Sequence, residues 1–221
     1  MTIRGLIFDF DGLILDTEMP YCEAWTQSFA RYGFLFTVED YKKAIGTGPS
    51  AYDMAEHLKQ LTNGVVDPLT IRNETRVKVK ELILRQPMLP GVQNFLESGQ
   101  KMGLPMAVAS SSEREWVEGY LSHLNIRHFF SAVCTADDVK RVKPNPELFL
   151  LAAGKIGLAP NEVIVFEDSP NGIAAAKAAN MFCVAIPNPI TISMDLSQAD
   201  LVVESFNKIN LVNLLKSNNQ I

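Results

Sequence analysis

Leu6-Ile7-Phe8-Asp9-Phe10-Asp11-Gly12-Leu13-Ile14-Leu15-Asp16-Thr17 joins an apolar run to two carboxylates spaced one residue apart. A run that is continuously apolar, without alternation, reads as a strand buried on both faces, as in a parallel sheet. Side chains at i and i+2 share one face of a strand, so Asp9 and Asp11 start out pointing the same way. Gly12 permits a sharp turn that swings the Asp11 side chain aside while its carbonyl stays near Asp9. Paired anions at the mouth of an apolar core repel and cost desolvation energy until a cation or a shared proton offsets them. A hard divalent metal and acid–base chemistry are the usual resolutions.

Further segments read as strands of the same kind: Met106–Ala109, Val163–Phe166, Phe182–Ala185, Leu201–Val203 and, more weakly, Ala132–Cys134. Helical patterns separate them, which predicts a doubly wound, mostly parallel α/β sheet of Rossmann-like type. Helix starts are marked at Asp67-Pro68, Asn145-Pro146 and Ser169-Pro170, and Ser112 with Glu115 fits a capping box. Trp116, Val117, Tyr120, Leu121 and Leu124 follow that box at core-facing spacing. Asn180 suits a left-handed helix end. From Thr17 onward the strand signal disappears, and Tyr21, Trp25, Phe29 and Tyr32 repeat at helical spacing as a core stripe. The expected organisation is an α/β core of residues 1–16 and 88–221 with an all-helical domain, 17–87, inserted after the first strand.

The 221 residues are 47% apolar and 20% charged, with a formal net charge of −5. Disorder is excluded, and the dispersed basic residues form no nucleic-acid footprint. No apolar run approaches the ~20 residues that span a bilayer. Cys22, Cys134 and Cys183 are isolated and read as reduced core residues. A cytoplasmic monomer without membrane or nucleic-acid partners is the expectation.

Ligands of open α/β sheets bind at the carboxyl ends of the strands. Asp9 and Asp11, then Ser110-Ser111-Ser112, then Glu167-Asp168-Ser169 occupy such ends, and Lys143 precedes a capped helix. Acids for a metal, hydroxyls with helix N–H groups for an anion, and an ammonium together suit phosphoryl transfer.

On these motifs the chain resembles the haloacid dehalogenase-like hydrolase superfamily, and within it the β-phosphoglucomutase and sugar-phosphatase group with a helical cap. Four motifs carry the likeness: Asp9-Phe-Asp-Gly, Ser110 after Val108-Ala109, Lys143 before Pro144, and Glu167-Asp168. It extends through Asp137-Asp138-Val139 and Ser169-Pro-Asn-Gly-Ile-Ala-Ala-Ala. The resemblance implies that Asp9 is the nucleophile and Asp11 the acid and base. It implies Mg²⁺ held by Asp9, the Asp11 backbone carbonyl and Asp168. Ser110, Ser111 and Lys143 would grip the phosphoryl group of a small phosphorylated substrate, with Thr17, Glu167 and Asn171 in support. Tyr21, Gly46, Glu113 and Arg114 would contribute specificity at the cap. Simpler readings stand beside these: Ser111 and Ser112 as a helix cap, Glu167 as a structural ion pair.

Asp11 separates the branches of the family. Dehalogenases lack an acid there because halide leaves without a proton, whereas an alkoxide needs one. The resemblance favours a phosphatase over a hexose-phosphate mutase. Tyr21 stands where the mutases carry a cap histidine, Pro49 where they carry an arginine, and Glu113-Arg114 where they carry Lys-Asn. A non-catalytic binding protein on the same fold is the reading from a different class; the intact Asp9, Asp11, Lys143 and Asp168 set opposes it.

Overall fold

The computed structural model describes residues 2–44 and 52–218. The chain divides into two compact units, Met1–Leu15 with Pro87–Ile221, and Asp16–Gln86. The second unit comprises α1 (Glu18–Arg31), α2 (Val38–Lys42), α3 (Met54–Leu61) and α4 (Pro68–Ile83), with α4 packed on α1 and α3 and with Trp25 and Phe29 of α1 buried. The aromatic stripe is core at Trp25 and Phe29 only, Tyr21 being half-buried and Tyr32 exposed. Phe29 meets Phe36 with ring centroids 4.5 Å apart and Trp25 at 6.4 Å. The Asp67 carboxylate accepts the Thr70 N–H and caps α4, with Pro68 in its first turn.

In the first unit, β1 (Gly5–Phe8), β2 (Met106–Ala109), β3 (Ala132–Cys134), β4 (Val163–Glu167), β5 (Phe182–Ala185) and β6 (Leu201–Val202) form one sheet. Its order is β3-β2-β1-β4-β5-β6, and every neighbouring pair runs parallel. Helices α5 (Val92–Lys101), α6 (Arg114–His123), α7 (Glu147–Lys155) and α8 (Pro170–Ala178) alternate with the strands, and α9 (Leu211–Asn218) follows them. Both faces are covered over β1 to β5, as their unbroken apolar runs require. At the sheet edge β6 leaves Leu201 and Val202 exposed, contrary to the buried strand expected there. Ile7, Ala107 and Val165 pack on one side with Leu148 and Phe149 of α7 and Ile173 of α8. On the other side Phe8 stacks on Phe166 at 5.0 Å, and Phe95 of α5 meets Phe206 at 4.9 Å. Each such phenyl ring, fully buried, contributes roughly 1.5–3 kcal/mol.

Most of the helix starts follow the local signals. Ser169 Oγ accepts the Gly172 N–H ahead of Pro170, and Asn180 adopts φ 58° at the end of α8. Asn145 Oδ1 accepts the Glu147 N–H, with α7 beginning at Glu147 rather than at Pro146. The capping box expected at Ser112 and Glu115 does not form: α6 begins after Glu113 without a side-chain cap. Glu113, not Ser112, stands at the N-cap position, and the Ser112 Oγ donates to Asp11, 101 residues away. Cys22, Cys134 and Cys183 are buried free thiols. Among the described residues no helix is long and apolar enough to cross a membrane.

Candidate active site

Sheet register assembles the centre of the site. Phe8 pairs with Phe166, so the next residues, Asp9 and Glu167, leave adjacent strands side by side. Both lie at i+2 from core residues, Ile7 and Val165, and therefore face the side covered by α7. Lys143, just ahead of α7, enters from that side. Its Nζ donates to Asp9 Oδ1 and, at 2.6 Å, to Glu167 Oε1, and lies 4.7 Å from the centre of the Phe149 ring. All three residues are buried, Glu167 completely.

Glu167 is fully engaged. Its Oε2 accepts the N–H groups of Asp168 at 2.9 Å and Ser169 at 3.0 Å, and the Ser169 hydroxyl at 3.0 Å. Asp9, Glu167 and Asp168 each present a carboxylate oxygen, and these lie within 4.8 Å of one another. Burial pushes the Asp9 carboxyl up to about 8; Lys143 opposes this, while Glu167 and Asp11 add to it. Burial would also lower the Lys143 ammonium, but the Asp9 and Glu167 carboxylates outweigh it and hold it above the ordinary lysine range. Lys143 thus stays charged, and the group still carries more acid than base.

Asp11 sits apart from this group. Gly12, at φ +77°, turns the chain back so that its N–H reaches the Leu15 carbonyl at 2.8 Å. The half-buried Asp11 side chain is held by the β2 end. Ser110 Oγ donates to its Oδ2 at 3.1 Å, Ser112 Oγ to the same oxygen at 2.7 Å, and Trp116 Nε1 to Oδ1 at 2.9 Å.

Other residues singled out in the sequence fall into distinct places. Ser111 and Glu113 are exposed beside Ser110, and Asn171 is half-buried in the first turn of α8. The Arg114 guanidinium pairs with Asp138 at 2.5 Å and lies 3.6 Å from Glu118, while its backbone N–H donates to Asp137. Thr17 and Tyr21 belong to the helical unit, where the Thr17 carbonyl accepts the Tyr21 N–H at the start of α1. Gly46 and Pro49 lie outside the described residues.

Asn188 is a residue the motifs did not reveal. Buried, it donates from Nδ2 to Asp168 Oδ2 at 2.7 Å and to the Gly12 carbonyl at 3.2 Å. Its Oδ1 accepts the N–H groups of Ile190 and Thr191, fixing the loop after β5. A Cβ on Gly12 would fall 2.5 Å from Asp168 Oδ2 and 2.6 Å from Asn188 Nδ2, so the three interlock. The Asn188-Pro-Ile-Thr191 stretch does carry a turn signature, but its link to Asp168 has no local sign. Trp116 was legible as core; its polar contact was not.

A parallel sheet bearing acids, hydroxyls and a buried ammonium at the carboxyl ends of its strands defines a phosphate-ester hydrolase. The model for haloacid dehalogenase-like hydrolases matches residues 6–186, and the chain belongs to that family. The YhcW protein of Bacillus subtilis (strain 168) is 38% identical over 213 residues, covering 96% of each chain. Fructose-1-phosphate phosphatase YqaB of Escherichia coli (strain K12) is 36% identical over 186 residues, covering 82% of this chain and 95% of its own. Among solved structures, β-phosphoglucomutase from Clostridium difficile superposes with a TM-score of 0.76 at 26% identity, covering 99% of this chain and 98% of its own. The chain is a phosphoric monoester hydrolase of this family.

Proposed function

We propose that the protein is a Mg²⁺-dependent phosphatase that hydrolyses a small phosphorylated metabolite, of the sugar-phosphate kind, through an aspartyl-phosphate on Asp9. The carrying observation is the buried group in which Asp9 and Glu167 meet the ammonium of Lys143 and Asp168 presents a third carboxylate beside them. All of its donors are oxygens and its charge is net negative, which fits a hard dication. Asp9, Asp168 and the Asp11 backbone carbonyl would hold Mg²⁺, which when bound offsets charge on the transferring phosphoryl group. Glu167, with both oxygens engaged, orients Lys143.

Lys143 stays protonated and meets a phosphoryl oxygen, assisted by Ser110, Ser111 and the N–H groups at the start of α6. Asp9 attacks phosphorus as the ester P–O bond breaks, and Asp11 protonates the departing oxygen. Asp11 then takes a proton from the water that attacks the aspartyl-phosphate, which frees phosphate and restores Asp9. Thr17 and Asn171 support this centre. The unit Asp16–Gln86 acts as a cap whose Tyr21 and Gly46, with Glu113 and Arg114 of the core, select the substrate. A sugar phosphate is supported by the substrate in the name of YqaB, and water as acceptor by Tyr21 and Glu113-Arg114 in place of the mutase residues.

Phosphate release from p-nitrophenyl phosphate should require Mg²⁺ and vanish in Asp9→Asn. Full activity of that variant, or in EDTA, refutes the reading. Incubation with β-glucose 1-phosphate and a bisphosphate primer should yield inorganic phosphate; glucose 6-phosphate instead would make the protein a mutase.

A further inference from the structure

Asp11 receives three hydrogen bonds, and the three donors are not equivalent. The Ser110 and Ser112 hydroxyls on Oδ2 can rotate and accept as readily as they donate. The indole N–H of Trp116 on Oδ1 is a donor only. An oxygen facing such a donor is the poorer place for a proton, because protonation leaves it a weaker acceptor for that bond. The proton that Asp11 delivers and recovers is therefore favoured on Oδ2, where the serine hydroxyls can turn to make room for it.

Trp116 is built to impose this. It lies in the first turn of α6, is 8% exposed, and meets Tyr120 edge-on with centroids 4.9 Å apart. Burial and ring packing fix the indole, so its N–H direction is set by the helix rather than by solvent. A polar group buried this way persists when it has a partner. Here the partner is a carboxylate 105 residues distant.

From this geometry we infer that Trp116 is a positioning residue for Asp11: its indole N–H pins Oδ1 and so assigns proton transfer to Oδ2. The inference rests on the proposed role of Asp11. In the first step the proton leaves Asp11 Oδ2 for the ester oxygen as its bond to phosphorus breaks and the Asp9–phosphorus bond forms. In the second, water gives its proton to Oδ2 as it displaces Asp9. Misaligning Oδ2 harms the first step in proportion to how badly the leaving group needs a proton. An alkoxide needs it; a nitrophenolate leaves without it.

The test compares kcat/KM, which reports only the step that releases the leaving group, for fructose 1-phosphate and for p-nitrophenyl phosphate in the full chain with Mg²⁺. Trp116→Phe keeps the ring and removes the N–H. It should lower kcat/KM on the sugar phosphate about tenfold, the worth of one hydrogen bond to a charged group. On the aryl phosphate it should change kcat/KM by less than about twofold. Benzothienylalanine at position 116, which exchanges only the N–H for sulfur, should reproduce the split and covers the case in which phenylalanine disturbs folding. Equal losses on both substrates with the benzothienyl side chain, or no loss on either, overturn the inference. Asp11→Asn is run beside them. If it shows the split and the position-116 variants do not, only the role of Trp116 fails; if it too lacks the split, the role of Asp11 fails.

Discussion

Gly172→Ala offers the sharpest test of the site, because two physical arguments give it opposite signs. Gly172 lies in the first turn of α8, and helix propensity favours alanine there by about 1 kcal/mol. A Cβ at Gly172, however, would lie 1.8 Å from both Cδ and Oε1 of Glu167 and 2.2 Å from Oε2. Ordinary contacts are about 3.5 Å, so the carboxylate would have to retreat by about 1.7 Å. Glu167 is completely buried, and its bonds to Lys143 at 2.6 Å and to the Asp168 N–H at 2.9 Å would not survive that movement. Breaking a buried pair costs about 3–5 kcal/mol, so the net loss should be about 2–4 kcal/mol. Urea denaturation at neutral pH should show the midpoint falling by about 1–2 M at an unchanged slope. In a Glu167→Ala background the same alanine should become neutral or mildly stabilising. A Gly172→Ala protein as stable as the parent would mean that Glu167 does not occupy this place.

Lys143→Met strips the charge from between Asp9 and Glu167; it should cost about 3–5 kcal/mol at pH 7 by denaturation and abolish phosphate release. Asp9 is held up at about 8 by burial, above an unfolded aspartate, so its contribution to stability is complete below about pH 4 and is lost as pH rises through 8. In EDTA the parent should therefore weaken across that window by up to about 1.4 kcal/mol per pH unit, and Asp9→Asn should flatten the slope; identical slopes would contradict the assignment. Asn188→Ala removes the amide that orients Asp168, and calorimetric Mg²⁺ affinity should drop roughly 10–100-fold. An unchanged affinity would leave Asn188 with only its loop.

The strands were legible because a parallel sheet covered on both faces leaves unbroken apolar runs, and Leu6–Phe8 announces itself without any partner. Caps that act within a few residues, at Asp67 and Ser169, were equally legible. Ser112 shows where that reading ends. Its local pattern matched a capping box, yet its hydroxyl serves Asp11 across the fold. Trp116 and Asn188 failed for the same reason: their spacing or turn chemistry was visible, but the carboxylates they hold arrive from distant strands. The juxtaposition of Asp9, Lys143 and Glu167 came from ordered motifs, and the engagement of Glu167 by Lys143 and its own turn had to be seen in three dimensions.

The loop after β1 closes on itself where the helical unit begins and ends. Leu15 bridges antiparallel to Met88, and the Leu89 N–H reaches the Ile14 carbonyl at 2.9 Å. The two crossing points therefore form a clasp made wholly from the sheet domain. Closing a longer or shorter excursion through that clasp changes the loop entropy only logarithmically, by about 0.6 kcal/mol per doubling of length. The excursion from Asp16 to Gln86 can therefore lengthen or shorten at little cost in closing the clasp. On the proposed role of that unit in selecting substrates, new ones would be recruited by changing the excursion rather than by rebuilding the chemistry.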